Sequence, residues 1–258
     1  MPLEALIFDV DGTLAETEEW HRHSFNAAFA AAGLGWHWDV AQYRSLLDVT
    51  GGKERMRHYA AGRGQAIRGG EVARLHADKT ARYVASVEAG AVALRPGVAR
   101  LLQEARGDGL RLAIATTTTP ENVTALLRAT LGPDAAGLFE CIGAGDAVAA
   151  KKPAPDIYQL VLDRMSLAPG NCLALEDTPN GLRAALAAGI ATVVTTSLYG
   201  GTAGFEGALL VVDGLGDADA PCQVLRGPAL DGPALRVADL RRALGSASSN
   251  SGGGQPAA

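Results

Sequence analysis

Short, unbroken apolar runs that stop abruptly at polar or glycine-rich turns recur along the chain: Ala5 to Phe8, Leu110 to Ala115, Cys172 to Leu175, Thr192 to Val194 and Leu209 to Val212. Runs of this length without polar alternation predict strands of a parallel sheet buried on both faces. Between them, Pro96 to Arg106, Glu121 to Thr130, Asp156 to Met165 and Asn180 to Ala188 carry apolar residues at helical spacing. Strand and helix alternate, which predicts an α/β, doubly wound (Rossmann-like) parallel sheet. One region breaks the alternation. From 17 to 91 there is no strand run; Phe25, Ala28, Phe29 and Ala32 make an i, i+3, i+4, i+7 stripe, and Val72 to Val87 also reads as helix. The expected organisation is an α/β core of residues 1–16 and 92–245 with an inserted α-helical cap domain at 17–91. The insert leaves directly after the loop of the first strand, where it would lie over the C-terminal edge of the sheet as a lid. The last stretch, 246–258 (SASSNSGGGQPAA), is of low complexity and is expected to be a disordered tail.

The chain has 258 residues, 48% of them hydrophobic, enough for one elaborated domain or a domain with a smaller insert. Its 23 basic and 28 acidic residues give a net charge of -5. That balance offers no basic face for nucleic acid and no polybasic membrane patch, so the expected partner is a small molecule and the expected state a monomer. Cys141, Cys172 and Cys222 are odd in number, widely spaced and without a C-x-x-C pair, which points to buried thiols rather than disulfides or a zinc site. The first residues lack a basic, apolar, cleavable leader, and no run reaches the roughly 18 apolar residues of a spanning helix. A cytoplasmic location is the resulting expectation.

Chemistry concentrates where the predicted strands end, the edge at which open parallel sheets bind ligands. Asp9-Val10-Asp11-Gly12-Thr13 sets two carboxylates two residues apart at the exit of the first strand, with Gly12 free to make the tight turn. Alone, a D-x-D is an ordinary acidic turn; three further clusters change that reading. Thr116-Thr117-Thr118-Thr119-Pro120-Glu121 joins a strand to a helix, with Thr118 and Glu121 spaced as a capping box and the helix N-terminus open to an anion. Lys151-Lys152-Pro153-Ala154-Pro155 brings cations on a stiffened approach to a helix, one of the two lysines being expected on the surface. Glu176-Asp177 ends a later strand with a second acidic pair. Carboxylates gathered at one edge repel unless a cation lies among them, and Mg²⁺ suits a few carboxylates plus a phosphate. Within 17–91, Thr50-Gly51-Gly52-Lys53-Glu54-Arg55 is a glycine-rich turn with two cations, able to offer amides and positive charge to an anion.

The ordered set D-V-D-G-T, strand-Thr, K-P and E-D resembles the four motifs of the haloacid dehalogenase superfamily over nearly the whole chain. The insert position resembles its helical-cap class, shared with β-phosphoglucomutase and phosphoglycolate phosphatase. The resemblance implies a phosphoric monoester hydrolase in which Asp9 is nucleophile and metal ligand and Asp11 general acid/base. Thr116, Thr117 and Lys152 would bind the transferring phosphoryl group, and Glu176 and Asp177 would complete a Mg²⁺ site with Asp9 and Asp11. Lys53 falls where relatives hold a non-reacting phosphate, with Gly52 and Arg55 beside it; Glu18, His21 and Lys79 resemble cap positions that face the active site. The stretches DVDGTLAETEEWHR, TGGKER, ATTTTPENV and KKPAPDIY look most like the CbbY-type phosphatases that hydrolyse xylulose-1,5-bisphosphate. By that likeness the substrate is a small phosphorylated sugar, and the alternatives are a β-phosphoglucomutase-like isomerase or a phosphoglycolate phosphatase.

Overall fold

The computed structural model describes residues 2–251. Strand β1 (Ala5–Phe8) leads into four helices, α1 (Glu18–Ala31), α2 (Val40–Leu46), α3 (Gly52–Gly62) and α4 (Gly69–Glu88). The chain then returns through α5 (Val98–Gly107), β2 (Arg111–Ala115), α6 (Pro120–Leu131), β3 (Cys141–Gly143) and α7 (Asp156–Met165). It ends with β4 (Cys172–Glu176), α8 (Pro179–Ala187), β5 (Ala191–Thr195), β6 (Leu210–Val212), β7 (Val224–Arg226) and α9 (Val237–Ser251). The strands form one seven-stranded sheet in the order β3-β2-β1-β4-β5-β6-β7. Every neighbouring pair is parallel except β6 and β7. Phe8 stands opposite both Ile114 and Leu175, so β1, β2 and β4 finish nearly level and the polar residues after them emerge side by side. Connections leave β1 and β4 in opposite directions, which opens a crevice at their C-terminal ends.

Alternation within each strand sorts side chains by size onto the two faces. Leu6, Phe8, Leu112, Ile114, Leu173 and Leu175 project together against Leu101 and Leu102 of α5, Val123 and Leu126 of α6 and Leu240 of α9. The opposite face carries Ala5, Ile7, Ala113, Ala115, Cys172 and Ala174, packed against Ile157, Tyr158 and Val161 of α7 and Ala184 and Ala185 of α8. Small residues let α7 approach closely: a side chain at Gly143 would meet Ile157 and Val161 at 3.1 Å. That approach brings the start of α7, and the lysine pair before it, up to the strand ends.

The helices between β1 and α5 have a core of their own. Phe25, Phe29, Trp36, Trp38, Tyr43, Leu46, Met56, Val72 and Leu75 form a separate buried cluster. Trp38 lies 4.8 Å, ring centre to ring centre, from both Phe25 and Phe29, and Asn26 pins its backbone from both sides, accepting from its N–H and donating to its carbonyl at 2.8 Å each. Lower down α4, Tyr83 and Val87 leave this cluster and join the core over the sheet. One helix thus contributes to both hydrophobic cores. The expected stripe on α1 stops at Phe29, because Ala32 caps the helix and is exposed.

Several expectations are corrected. Strands β3 and β7 and helix α9 were not foreseen: each of these strands has three residues, and β7 is partly exposed and antiparallel. Helix α5 begins at Val98 rather than Pro96, because Gly97 adopts φ 82° and a side chain there would fall 2.1 Å from the Gly216 carbonyl. The backbone stays helical to Ser251 where a disordered tail was expected from 246; the remainder of that stretch, 252–258, lies outside the described residues. Cys141 and Cys172 are buried free thiols, whereas Cys222 is only half-buried. Among the described residues no helix is long and apolar enough to cross a membrane.

Removing the indole around which the second core is packed leaves a cavity that its neighbours cannot refill. Trp38→Ala is expected to cost about 3–5 kcal/mol in denaturant unfolding, against less than about 0.5 kcal/mol for Leu198→Ala on the surface. Equal losses would show that the aromatic cluster is not the support of these helices.

Candidate active site

The end of β1 turns sharply on hydrogen bonds to the Val10 carbonyl from the amides of Thr13 at 3.2 Å, Leu14 at 2.9 Å and Ala15 at 3.4 Å. Gly12 sits in this turn at φ 83°, and a side chain there would fall 2.0 Å from Asp177 Oδ2. Glycine at this position therefore lets the β1 and β4 loops touch. The turn leaves Asp9 buried and Asp11 half-buried above the sheet edge. From β2, Thr116 is buried beside them, its amide donating to the Gly143 carbonyl at 2.9 Å. From β4 come Glu176 and Asp177, both buried.

Lys152 reaches into this group from the loop before α7. Its ammonium donates to Asp9 Oδ1 at 2.7 Å, Glu176 Oε1 at 2.6 Å and the Ala115 carbonyl at 2.8 Å. The Tyr158 hydroxyl donates to the same Glu176 oxygen at 2.5 Å. Burial works against the charge on Lys152, but Asp9 and Glu176 outweigh it and raise the ammonium pKa. One ammonium does not balance the acids around it. Burial, with the charges of Glu176 and Asp11, pushes Asp9 up to about 7 although Lys152 pulls the other way. Burial and the charges of Asp9 and Glu176 likewise drive Asp177 well above the ordinary carboxylate range, against a hydrogen bond from Ser197 at 2.6 Å.

Oxygens of Asp9, Glu176 and Asp177 lie within 4.8 Å of one another. Glu176 Oε2 and Asp177 Oδ1 are buried with no hydrogen-bond partner among the described residues. Two orphaned carboxylate oxygens in a cluster that repels itself are what an oxygen-seeking cation such as Mg²⁺ would satisfy. Gly181 keeps the space open, since a side chain there would meet Glu176 Oε2 at 1.8 Å. The donor set fits a hard divalent ion.

Asp11 was expected among the metal ligands, and its carboxylate is not in that cluster. Its Oδ1 instead accepts from the Thr17 hydroxyl at 2.5 Å and lies 3.0 Å from His21 Nε2, both on the way into α1. Lys79 Nζ is 2.8 Å from the other ring nitrogen of His21, and the ring stacks on Tyr83 with centroids 4.0 Å apart. Nε2 is the ring nitrogen that faces Asp11 and Nδ1 the one that faces Lys79. Burial would raise the Asp11 pKa, but His21 and the Thr17 hydroxyl, with Lys79 behind them, hold it down at about 2. Burial brings Lys79 itself down to about 8 against the pull of Asp11 and Glu18.

The cleft above the sheet edge has two lobes that share Asp11, Glu18, Arg55 and Thr117. One opens over Asp9, Thr116, Lys152, Glu176 and Asp177. The other is lined by Gly52, Lys53, His76, Lys79, Asn122 and Lys151. Arg55 is buried, donating to the Leu46 carbonyl at 3.1 Å and the Tyr43 hydroxyl at 3.0 Å, and that hydroxyl donates in turn to Glu18 at 2.7 Å. Gly52 opens α3 against His76, whose ring a side chain at 52 would strike at 2.7 Å. Lys53 pairs with Asp146 of the core at 2.7 Å.

The residues given catalytic, metal or substrate roles from the sequence line this cleft, the Asp11 carboxylate facing Thr17 and His21 rather than the three-acid cluster. The Thr118–Glu121 capping box does not form: Thr119 occupies the N-cap, Pro120 begins the helix, and no side chain caps it. Thr118 accepts from Asn122 instead. Sequence reasoning missed Thr17, His76, Asp146, Tyr158 and Ser197. It also expected one lysine of the pair to be surface, whereas Lys151 is half-buried in the second lobe. Ser197 follows β5, so the same strand-end logic could have found it.

Residues 3–189 match the family model described as haloacid dehalogenase-like hydrolase. The chain is 52% identical over 244 residues to the CbbY protein of Cupriavidus necator, covering 92% of this chain and 94% of that protein. It is 54% identical over 199 residues to CbbY of Rhodobacter capsulatus, covering 77% and 88%. Among solved structures, a CbbY variant from Rhodobacter sphaeroides in complex with xylulose-(1,5)bisphosphate superposes with a TM-score of 0.79 at 48% identity, over 82% of this chain and 94% of that one.

The acidic cluster makes stability depend on pH in a defined direction. A carboxyl raised from 3.8 to about 7, as in Asp9, binds more protons folded than unfolded between those values. The metal-free protein therefore loses stability as pH rises from about 4 to about 7, and Asp177 acts with the same sign. A divalent cation bound among these acids would replace those protons. Thermal melts in EDTA and in saturating Mg²⁺ are expected to show a stabilisation by Mg²⁺ that grows from about pH 5 to about pH 8. A shift independent of pH would show that the ion binds elsewhere.

Proposed function

The chain belongs to the haloacid dehalogenase-like hydrolases, and from that premise we propose that it is a Mg²⁺-dependent sugar-phosphate phosphatase working through an aspartyl-phosphate on Asp9. The observation that carries this reading is the two-lobed cleft: a buried carboxylate–ammonium cluster at one end, a recess that presents Lys53, Lys79 and Lys151 beside Glu54 and Asp146 at the other, and Asp11 between them. Such a shape suits a ligand whose two ends are both anionic. The bisphosphate bound by the Rhodobacter sphaeroides relative supports xylulose-1,5-bisphosphate as the substrate, with xylulose 5-phosphate as product. Residues 1–16 and 92–245 are read as the phosphotransfer core and 17–91 as the cap that recognises the sugar.

Phosphoryl transfer needs an in-line nucleophile, neutralisation of the phosphoryl oxygens and a proton for the leaving oxygen. Lys152 fixes the Asp9 carboxylate through Oδ1 and adds positive charge at the reacting phosphate, beside the Thr116 and Thr117 positions. When bound among Asp9, Glu176 and Asp177, Mg²⁺ would supply the remaining charge compensation. Asp9 attacks phosphorus, the ester bond breaks, and Asp11 delivers a proton to the sugar oxygen. As held by Thr17 and His21, Asp11 is ionised, so acting as the acid requires it to enter protonated and exchange one of those partners for the leaving oxygen. In the second step the ionised form takes a proton from water, which attacks the acyl phosphate and releases inorganic phosphate. Glu18 and Arg55, tied together through Tyr43, face the waist of the cleft and suit the sugar hydroxyls.

Phosphate release from xylulose-1,5-bisphosphate, ribulose-1,5-bisphosphate and β-glucose 1-phosphate, with products followed by NMR, tests the reading. Turnover of the xylulose ester should exceed that of its epimer by at least about tenfold, the effect of one buried group left unpaired. Comparable rates on the two pentulose esters, or conversion of β-glucose 1-phosphate to glucose 6-phosphate as the main activity, would overturn the substrate. Asp9→Asn should abolish turnover, and Asp11→Asn should lower kcat by about 10²-fold or more. Turnover by purified Asp9→Asn would remove Asp9 as nucleophile. Lys53→Ala should lower kcat/KM for the bisphosphate about 10- to 100-fold more than for p-nitrophenyl phosphate, the contribution of a charge-assisted contact to the far phosphate. Equal losses on both esters would assign Lys53 to the support of the cleft instead.

A further inference from the structure

At the rim of the second lobe one carboxylate is shared by two ammonium groups from opposite sides of the cleft. Asp146 lies in the loop between β3 and α7, on the core. Its Oδ2 accepts from Lys53 Nζ of α3 at 2.7 Å and its Oδ1 from Lys151 Nζ at 2.8 Å. Lys151 also donates to the Gly145 carbonyl and so stays on the core side whatever Lys53 does. Among the described residues Lys53 makes no comparable second hydrogen bond, and its side chain is about a third exposed. The Asp146 side chain is 63% exposed, well outside the packed core.

We propose that Asp146 determines specificity by acting as a built-in counter-ion for Lys53, holding the cap lysine against the core until a phosphate dianion displaces it. The proposal rests on the reading that the far phosphate of a bisphosphate enters this lobe. Hydrogen bonds from Lys151 and Lys53 keep the Asp146 carboxyl at about 2, so it competes as a full single charge at any working pH. A phosphate ester carries between about one and a half and two negative charges near neutrality and three acceptor oxygens, so it outbids a single carboxylate. A hydroxyl or a lone carboxylate at the ligand's far end does not. The contact therefore subtracts a fixed amount from the binding of every ligand that engages Lys53, and only a dianion overcomes it. Lys151 retains Asp146 meanwhile, which keeps the displaced carboxylate from following Lys53 into the site.

The test measures the Ki of xylulose-1,5-bisphosphate against p-nitrophenyl phosphate hydrolysis in the wild type, Asp146→Asn, Lys53→Ala and the double variant. Asp146→Asn should tighten the Ki about two- to fivefold, the range carried by an exposed ion pair, with no tightening for β-glucose 1-phosphate, which has no second phosphate. In the Lys53→Ala background the same substitution should change nothing. An unchanged or weaker Ki in Asp146→Asn overturns the proposal, and so does equal tightening without Lys53, which would mark a diffuse field effect. Because the Ki of an ester that is turned over equals its KM, the same series is also read as a Kd by calorimetry in the Asp9→Asn background; wild-type enzyme that binds the bisphosphate without releasing phosphate would refute the substrate reading while the binding series still decides the role of Asp146.

Discussion

A single buried ammonium, Lys152, joins carboxylates that arrive on two different strands and a carbonyl from a third. Burying charges is costly unless they are paired and hydrogen-bonded, and here the pairing is incomplete: two carboxylate oxygens have no partner among the described residues. The fold therefore holds an electrostatic deficit at the sheet edge. A divalent cation and a phosphate are the natural pair to fill it, the first satisfying the carboxylates and the second the cations. The features that keep this cluster intact are largely steric. Gly12 and Gly181 are bare where a side chain would strike Asp177 or Glu176, and the small residues on one face of the sheet let α7 carry Tyr158 to within 2.5 Å of Glu176.

The two hydrophobic cores set how the rest of the cleft is built. The aromatic cluster around Trp38 gives α1 to α4 internal support, while Tyr83 and Val87 seat the lower part of α4 on the sheet domain. Polar bridges cross the seam between these helices and the sheet domain: Asn180 donates to the Asp48 carbonyl at 3.1 Å, Arg44 to the Leu198 carbonyl at 3.1 Å, the Thr50 hydroxyl to the Lys152 carbonyl and the Tyr199 hydroxyl to Glu19, beside the contacts of Asp11 with Thr17 and His21. The Lys53–Asp146 contact belongs to that seam.

Asp11 lies where the two parts meet. Its partners Thr17 and His21 belong to the entry into α1, and Lys79 behind His21 belongs to α4. The protonation of Asp11 is thus set by helices α1 and α4, not by the strand loop that carries it. This separates it from Asp9, two residues away, whose surroundings are the acids and the lysine of the sheet edge. Two carboxylates on one short turn acquire opposite pKa shifts because the turn points them into different environments.

Local pattern was enough for the elements that repeat: apolar runs gave β1, β2, β4, β5 and β6, helical spacing gave α5 to α8, and the motif residues stood at strand ends because a parallel sheet aligns those ends. Short or irregular pieces escaped, since three-residue strands such as β3 and β7 and a helix of mixed polarity such as α9 carry too little periodicity to stand out. Residue types also fixed the candidates Asp9, Lys152, Glu176 and Asp177, because acids and a lysine at one edge have few uses other than binding a cation and an anion. Side-chain direction could not be read that way. That Asp11 turns from the acidic cluster to His21, that Lys53 meets Asp146 across 93 residues of chain, and that Lys151 faces the cleft depend on how the inserted helices sit over the sheet. Those are contacts between residues far apart in sequence, and only the packing of the two cores against each other decides them.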